Sequence, residues 1–583
     1  MKTLFLAAAL LAYLCPQAMG DAATLSGKDF PFKSNGSKIE SGGWELTGND
    51  YLGTYLTLPK PGRVVFSIKA SGSVATMHLH VGDKRFAQSI NPGACDFKCD
   101  LPAGVYSVRI ELNRPPARNG AAFLRVESLT VSGPGIQLSN SDPSDELVLK
   151  AADTYIENCR KGSAELSLTD SKGKPLPEGT VVHVKLRKHA FDFGTAVYGT
   201  NAQNGDWLRD NPAPGTDAFK YQQFINTHFN IIVPENAGKW GPCEAERDKE
   251  TMDFADAILA YAAKHGLKAR MHCVLWGESM PKWAEGLLNT AIKGSTQQER
   301  DAASKDLRGE ISQRINTLVR DRAGKYVQVD GINESAHVDL FLKAYGPSGV
   351  GGIYEEIIKA SAGRARVYFN EYNLFQWSQQ FGYKDDYANW YKDHIRKILD
   401  SGVSPANRER IGIGMQYYAS AEPDALKYSP HSPVRISKVL ANLAIFEQPM
   451  SLTEFGTGRT GEPHAAKYLS DTMRLVFGAD QTTSFLMWGF WQSHIWAPGS
   501  ALVDDNWNLT ECGKTYEQLV GIHDWGIQDL PIWDTDLTLK TDRKGKVRFR
   551  GFFGDYDVTV GGRSYAVVLA KGKDKLSVRL GGN

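Results

Sequence analysis

The feature that most constrains the fold is a series of apolar segments after His189 that alternate with longer segments of helical periodicity. This alternation is typical of parallel sheets whose strands are joined by helical crossovers. The eight predicted strands are 191–197, 230–235, 268–276, 326–334, 366–373, 411–418, 449–454 and 484–491. Eight strands across about 300 residues predict a (β/α)8 barrel, which places its active site at the carboxyl ends of the strands.

The rest of the 583-residue chain predicts further modules, because one hydrophobic core rarely organises so many residues. Residues 21–135 run in short alternating segments between Gly, Pro, Asn and Asp turns, which is typical of a β-sandwich. A linker, a helix and a hairpin are predicted over 136–188, the barrel over 189–526 and a small β module over 527–583. The predicted fold class is therefore a multidomain protein, a TIM barrel flanked by a sandwich and a β module.

Two β segments flank the barrel in sequence, the predicted hairpin 164–187 and the tail 534–580. Neither is long enough to bury a core alone, yet both show two-residue alternation of apolar side chains. We therefore expect the two segments to pack into one accessory module beside the barrel.

Residues 1–20 have the basic start, apolar run and small-residue end of a secretory signal peptide. We expect a secreted or periplasmic protein whose mature chain starts near Asp21. A lipoprotein anchor at Cys15 is the alternative, which the bulky Tyr13 and Leu14 disfavour. No later apolar run approaches the roughly 18 residues that span a bilayer, so no membrane contact is expected after signal cleavage.

The charges are balanced, with 67 Lys and Arg against 66 Asp and Glu, and predict no nucleic-acid partner. Export permits disulfides, and the spacing of Cys95 and Cys99 suggests a local bridge. No group of cysteines and histidines has the spacing of a zinc site. We predict no metal and no cofactor, and the oligomeric state stays open.

Polar and aromatic side chains follow the predicted strands where a barrel would expose them. They are Glu235 and Asn236, His272 and Trp276, Asn333 and Glu334, the run 370–373, Gln416, Glu454, and Trp488 and Trp496. Each alone has a structural explanation, such as a helix cap or a core residue. Together they are the residue types that glycoside hydrolysis requires. In that reaction one carboxyl group protonates the leaving oxygen, the other attacks or activates water, and aromatic rings stack on the sugars.

Residues 189 to about 525 resemble the family 10 glycoside hydrolases, the endo-β-1,4-xylanases, in motifs that occur in order along the barrel. The matching stretches are 228–240, 272–276, 329–334, 370–373, 412–416, 452–454 and 488–496. The sandwich, by its pattern, is expected to be carbohydrate-binding.

The resemblance implies a retaining mechanism through a covalent glycosyl-enzyme, with Glu334 as general acid/base and Glu454 as nucleophile. Their carboxyl groups would lie about 5 to 5.5 Å apart, and Glu454 would raise the pKa of Glu334. Asn333 would bond the 2-hydroxyl of the sugar being cleaved, and Trp488 and Trp496 would form an aromatic cage. The other substrate-binding residues would be Glu235, Asn236, Lys239, His272, Trp276, Tyr372, Gln416 and Tyr418.

Three positions depart from the family pattern. Gly277 and Tyr418 stand where strands three and six commonly have His, and Gly456 stands where Asp commonly follows the nucleophile. In the family the second of these His residues interacts with that Asp, so their joint absence indicates the exchange of a unit. Tyr418 can donate its hydroxyl to Glu454 instead. These changes bear on rate, pH optimum and sugar preference.

The predicted function is hydrolysis of internal bonds of xylan or a related plant cell-wall polysaccharide. One alternative is a retaining hydrolase of another β-linked glycan, and another is a non-hydrolytic carbohydrate-binding barrel, against which the presence of Glu334 and Glu454 argues. The sandwich is predicted to bind polysaccharide through Trp44, Tyr51 and Tyr55. The alternative for the sandwich is a spacer whose aromatic rings are core residues.

Overall fold

The barrel is closed and has eight parallel strands. The computed structural model describes residues 21–581 except 35, 48–49, 74–75, 91–92, 113–121, 199, 202–204, 209–210, 377–386, 421–428, 459–460, 462 and 522–531. In order, the barrel strands are Asp192–Val197, Ile231–Pro234, Lys268–Met271 continued by Leu275–Trp276, Gln328–Asn333, Arg366–Glu371, Ile411–Ser420, Met450–Thr457 and Thr482–Met487. Strand one pairs with strands two and eight, which confirms the predicted TIM barrel.

Helices connect the barrel strands on the outside. The helices of the described chain are Asp145–Cys159, Asp217–His228, Trp240–Cys243, Asp253–Lys264, Lys282–Lys293, Gln297–Ile315, Leu340–Ala360, Tyr387–Gly402, Pro405–Arg408, Pro433–Leu443, Ala465–Phe477 and Glu511–Val520. Several begin at a side-chain cap, as at Thr296, whose hydroxyl and the carboxylate of Glu299 form a capping box. The helices cover the strands from outside, and strands Ile411–Ser420 and Met450–Thr457 are buried at every position.

The N-terminal strands form two six-stranded antiparallel sheets around their own core. One sheet contains Asp21–Ser26, Ser37–Lys38, Trp44–Leu46, Gly62–Gly72, Gly93–Leu101 and Leu124–Gly133. The other contains Phe32–Lys33, Asp50–Leu58, Thr76–Val81, Lys84–Ser89, Gly104–Leu112 and Gln137–Leu138. This is the sandwich that the alternating pattern predicts.

The outer face of the second sheet packs on the barrel. The hydroxyl groups of Tyr55 and Ser437 form a hydrogen bond at 2.6 Å. Tyr51 and Tyr55 are each 4% exposed. The buried Lys392 ammonium lies 3.2 Å from the Asp50 carboxylate across the same interface. The prediction that Tyr51 and Tyr55 bind polysaccharide is therefore wrong, because barrel side chains cover their rings. A sugar-binding role of Trp44 stays a prediction.

The segments that flank the barrel pack together, as predicted. Lys161–Thr169 pairs with Lys546–Phe552 and Lys575–Arg579 in a three-stranded sheet. Val181–His189 pairs with Asp536–Lys540 and Gly554–Val560 in a second sheet, which Arg563–Leu569 extends. The predicted hairpin over 164–187 is wrong, because its two strands lie in different sheets and each takes its partners from the C-terminal segment.

An aromatic cluster closes the amino end of the barrel, opposite the carboxyl ends of the strands. Trp533 is 1% exposed and packs on Phe193 and Phe477, with ring centroids 5.8 Å and 4.7 Å away. Its backbone carbonyl lies 2.6 Å from Nε2 of His189, which precedes the first strand. The accessory module and the barrel therefore share one core.

Replacement of this ring should destabilise the whole protein. We expect Trp533→Ala to lower the free energy of unfolding by about 3–5 kcal/mol, because it leaves a cavity among packed rings. Denaturant unfolding of the full chain measures this change. The neighbouring Ile532 is 51% exposed, so Ile532→Ala should change it by less than about 0.5 kcal/mol. Equal effects of the two variants would show that the cluster is not a shared core.

The suggested bridge between Cys95 and Cys99 does not form. Both thiols are free and both residues lie on strand Gly93–Leu101, where four residues span about 13 Å. A disulfide requires Cα atoms less than about 7 Å apart. None of the helices in the described part of the chain has the length and apolar character to cross a membrane.

Candidate active site

Two buried glutamates lie at the carboxyl ends of the fourth and seventh barrel strands, which are three strands apart around the barrel. Glu334 directly follows strand Gln328–Asn333, and Glu454 lies within strand Met450–Thr457. They are 9% and 4% exposed. The backbone of Glu334 has a φ of 54°, in the left-handed region that residues other than glycine seldom adopt.

The carboxyl group of Glu334 is held by two donors. Nε2 of Gln416 donates to one oxygen at 3.0 Å, and Nε1 of Trp276 donates to the other at 2.9 Å. Burial raises the pKa of Glu334 well above its ordinary value, and the charges of Glu371 and Glu454 raise it further. The Gln416 hydrogen bond favours the charged form, but the net pKa is raised, so this carboxyl group keeps its proton to a higher pH than an ordinary glutamate and can deliver it.

Glu454 has a different set of partners. The Tyr418 hydroxyl donates to one oxygen at 2.7 Å, and Nδ2 of Asn370 donates to the other at 3.1 Å. Burial raises the pKa of Glu454 to about 7, although both hydrogen bonds oppose this shift by favouring the charged form. Two carboxyl groups with distinct environments can take the distinct roles of acid and nucleophile.

The amide of Asn370 connects this pair to Asn333. Its Nδ2 also donates to Oδ1 of Asn333 at 2.9 Å, and its own oxygen accepts from the Thr453 hydroxyl. Because the oxygen of Asn333 is occupied, its NH2 group is the part available to a ligand. The sequence motif contained Asn370 without a role, and the structure places it between the two ends of the site.

Glu371 is a third buried carboxylate that the sequence analysis did not assign. It is fully buried and accepts from the backbone N–H of Ala336 at 2.9 Å and from Nδ1 of His337 at 2.7 Å. Its charge is the second cause of the raised pKa of Glu334, after burial. Its position at the end of the fifth barrel strand was a signal that could have identified it.

The second and third barrel strands supply the polar side of the cleft. Nζ of Lys239 donates to Oδ1 of Asn236 at 2.8 Å and lies 4.9 Å from the ring centroid of Trp276. Nδ1 of His272 lies 2.9 Å from a carboxylate oxygen of Asp330, and burial lowers the pKa of this histidine. The imidazole is thus neutral, with Nδ1 as donor and Nε2 as acceptor.

Aromatic rings complete the cleft. Trp488 is 7% exposed and meets the ring of His272 edge to face at 5.1 Å, whereas Trp496 is 45% exposed and meets Tyr418 at 4.5 Å. Tyr372 is half-buried and stacks on His337 at 4.0 Å. Glu235 directly follows strand Ile231–Pro234 and therefore lies at the same end of the barrel. The structure thus brings together every residue of the predicted site.

Side chains pack closely against the two glycines that depart from the family pattern. A Cβ atom on Gly456 would lie 2.7 Å from Cδ1 of Tyr418 and 2.7 Å from Cβ of Ala497. A Cβ atom on Gly277 would lie 2.6 Å from Cγ1 of Val338. The tyrosine ring therefore occupies the space that a side chain at position 456 would need, so Tyr418 and Gly456 form one unit.

A (β/α)8 barrel with two buried glutamates at strands four and seven, amides beside them and exposed tryptophan at the rim defines a glycoside hydrolase. The family model described as Glycosyl hydrolase family 10 matches residues 186–518, more than half of the chain. The chain belongs to this family.

The curated relatives are distant and mostly longer than this chain. The anti-sigma-I factor RsgI6 of Acetivibrio thermocellus is 27% identical over 441 residues, which are 74% of this chain and 48% of the relative. Endo-1,4-beta-xylanase 1 of Arabidopsis thaliana is 23% identical over 67% of this chain and 35% of the relative. The chain spans about half or less of the length of these two relatives.

Among solved structures, the chain is similar to xylanase 10B from Thermotoga maritima. It covers 56% of this chain and 94% of its own, at 18% identity and a TM-score of 0.44.

Proposed function

We propose that the protein is a retaining endo-β-1,4-xylanase that cleaves internal bonds of xylan by double displacement. The observation that carries the proposal is the contrast between its two buried carboxyl groups. Burial raises the pKa of both groups. The hydrogen bonds from Tyr418 and Asn370 oppose this rise at Glu454, whose pKa is about 7, whereas the charges of Glu371 and Glu454 add to it at Glu334. A protonated acid beside a hydrogen-bonded carboxylate is the pair that a retaining glycosidase needs.

In the first step the Glu454 carboxylate attacks the anomeric carbon while Glu334 protonates the leaving glycosidic oxygen. The bond to the leaving sugar breaks, and a covalent glycosyl-enzyme forms. In the second step Glu334, now ionised, takes a proton from water as the water displaces Glu454 from the same carbon. Two inversions give net retention of configuration.

The surrounding residues bind the chain. The NH2 group of Asn333 donates to the 2-hydroxyl of the sugar at the cleaved bond, where charge changes most in the transition state. Asn236, Lys239, His272 and Trp276 hold the non-reducing side, and Gln416 holds both this side and Glu334. Glu235, Tyr372 and Tyr418 line the same cleft, and Trp488 and Trp496 stack on the sugar rings.

Substrate class and stereochemistry test this proposal directly. The purified protein is incubated with xylan and with a β-1,4-glucan, and the first anomer released is followed by NMR. We expect xylo-oligosaccharides released first as the β-anomer and at least tenfold slower cleavage of the glucan, which carries one extra hydroxymethyl group per ring. Initial release of the α-anomer contradicts the double displacement, and faster cleavage of the glucan contradicts the xylan assignment.

The two raised pKa values predict a pH optimum above that of a pair of glutamates with ordinary pKa values. Glu454 must be ionised to attack and its pKa is about 7, so kcat/KM falls as the pH drops below about 7. Glu334 must be protonated, so kcat/KM falls again only as the pH rises through its raised pKa.

Tyr418→Phe is expected to move the acid limb of this profile upward. It removes a hydrogen bond to the charged form of Glu454, which is worth about one to two pKa units. The pH dependence of kcat/KM on a soluble xylo-oligosaccharide measures the shift. Tyr417→Phe is the control, because the Tyr417 hydroxyl lies 3.3 Å from Nδ1 of His431 rather than on a catalytic carboxylate. An acid limb that stays in place in Tyr418→Phe would count against Glu454 as the group that titrates there.

We further propose that the protein is exported through the signal peptide at residues 1–20, as a secreted or periplasmic enzyme. The basic and apolar pattern of this segment supports the proposal. N-terminal sequencing of the exported protein tests it, and we expect a start near Asp21.

A further inference from the structure

A second cluster of ionisable side chains lies where the N-terminal sandwich meets the barrel. His78 and His80 come from strand Thr76–Val81, in which Met77, Leu79 and Val81 fill the sandwich core. The two histidines alternate with these core residues and thus share the opposite face of the strand. From the barrel side, Glu447 follows the short helical turn Ala444–Phe446.

The three side chains converge. One ring nitrogen of each histidine and one carboxylate oxygen of Glu447 all lie within 4.8 Å of one another. Nδ1 of His78 is 3.8 Å from Oε1 of Glu447. Ligands of a tetrahedral zinc ion lie about 3.3 Å from each other, given bonds of about 2.0–2.1 Å. The three atoms must therefore approach one another by at most about 1.5 Å to reach the spacing of zinc ligands.

One ring nitrogen of the buried His80 lacks a partner. His80 is 1% exposed, and its Nδ1 has no hydrogen-bond partner among the described residues. Its Nε2 lies 3.1 Å from Oε2 of Glu111. A buried polar atom that lacks a partner is costly and indicates that another group belongs beside it.

Glu111 has the position of an outer carboxylate behind a metal-binding histidine. It is fully buried, and its Oε1 accepts from Nε of Arg109 at 2.9 Å. Such carboxylates fix the ring orientation of ligating histidines and raise their basicity. On the other side the cluster is open, since the side chains of His78 and Glu447 are 24% and 35% exposed. An ion can enter there, and a water molecule can complete its coordination.

We propose that His78, His80 and Glu447 form a zinc-binding site that joins the sandwich to the barrel. Two imidazoles and one carboxylate suit zinc and similar transition-metal dications, whereas calcium and magnesium prefer oxygen ligands alone. Since the ligands come from both domains, the ion binds the docked arrangement and stabilises it by mass action. The site uses no residue of the catalytic cleft, so it stands independently of the proposed function.

The test uses the full chain, stripped of metal with a chelator and then titrated with Zn²⁺. Calorimetry should give one ion per chain, and His78→Ala and Glu447→Gln should each weaken binding by about 100-fold or more, because loss even of an outer partner costs 10–100-fold. His78 and Glu447 are partly exposed, so these variants are expected to fold. With Co²⁺ as a probe, visible absorption bands should form in the wild-type protein and be absent in His78→Ala.

Two control variants separate this site from adventitious binding. His183→Ala removes an exposed histidine paired with Asp536, and Glu310→Gln removes a carboxylate from an acidic group formed with Glu244 and Asp248. Both should bind Zn²⁺ as the wild-type protein does. Zn²⁺ should also raise the melting temperature and slow proteolysis of the segment 139–144 in the wild-type protein but not in Glu447→Gln. Binding that survives in His78→Ala, or is lost instead in Glu310→Gln, overturns the proposal.

Discussion

Glu454→Gln is expected to lower kcat on xylan by about 10⁴-fold or more, as loss of a covalent nucleophile does in other enzymes. The amide has nearly the shape of the carboxylate but is a poor nucleophile, so the glycosyl-enzyme does not form. KM should change little, because the hydroxyls and rings that bind the chain remain. Steady-state kinetics on xylan measures both constants, and circular dichroism checks the fold.

Glu409→Gln is the matched control for this variant. Its side chain is 73% exposed and lies just before the sixth barrel strand, at the end of the barrel opposite the cleft. The same chemical change there should leave kcat within twofold. A Glu454→Gln enzyme that retains more than about 1% of wild-type kcat would assign the nucleophile elsewhere.

Glu334→Ala should separate substrates by their leaving groups. On xylan, whose leaving sugar needs a proton, we expect kcat/KM to fall by about 10²–10⁴-fold, the range for loss of a general acid. On an aryl xyloside with an acidic phenol, the first step needs no proton and should be nearly unaffected. The second step then lacks its base, so one equivalent of phenol per enzyme should be released in a burst, followed by slow turnover.

Glu278→Ala controls for the mere loss of a negative charge in the cleft. Glu278 is exposed, and its charge contributes to the raised pKa of Glu334. Glu278→Ala should change kcat/KM on xylan and on the aryl xyloside by the same factor. If Glu334→Ala also lowered activity equally on xylan and on the aryl xyloside, the assignment of Glu334 as the proton donor would be wrong.

The sequence predicted the barrel well because its strands are buried on both faces. The run from Ile411 to Met415 is continuously apolar, and the polar residue that follows it, Gln416, marks the cleft. The sequence alone therefore predicts that Glu334, Glu454 and Gln416 lie in one cleft. The strand limits differ from prediction by a few residues, as at Thr482–Met487, which was expected at 484–491.

What a chain packs against was harder to predict. Two-residue alternation in Lys161–Thr169 indicates a strand with one apolar face but does not identify its partner. The strand nearest in sequence, Val181–His189, is not that partner. Aromatic rings such as those of Tyr51 and Tyr55 are typical of sugar-binding surfaces. Only the structure shows that the barrel surface at Ser437 covers them. Likewise Glu371 received no role, because its effect on Glu334 depends on distance across the barrel rather than along the chain.

The pairing of both flanking segments in the accessory module has a consequence for synthesis. The Glu165 carboxylate accepts from Arg548, 383 residues further along the chain, across adjacent strands. At about 5–20 residues per second, a ribosome needs roughly 20 to 80 s to supply the missing strands. During that interval Lys161–Thr169 and Val181–His189 have open edges that chaperones can recognise. The C-terminal strands therefore distinguish a complete chain from one released early. The shorter chain leaves these edges exposed to proteases and cannot close the amino end of its barrel.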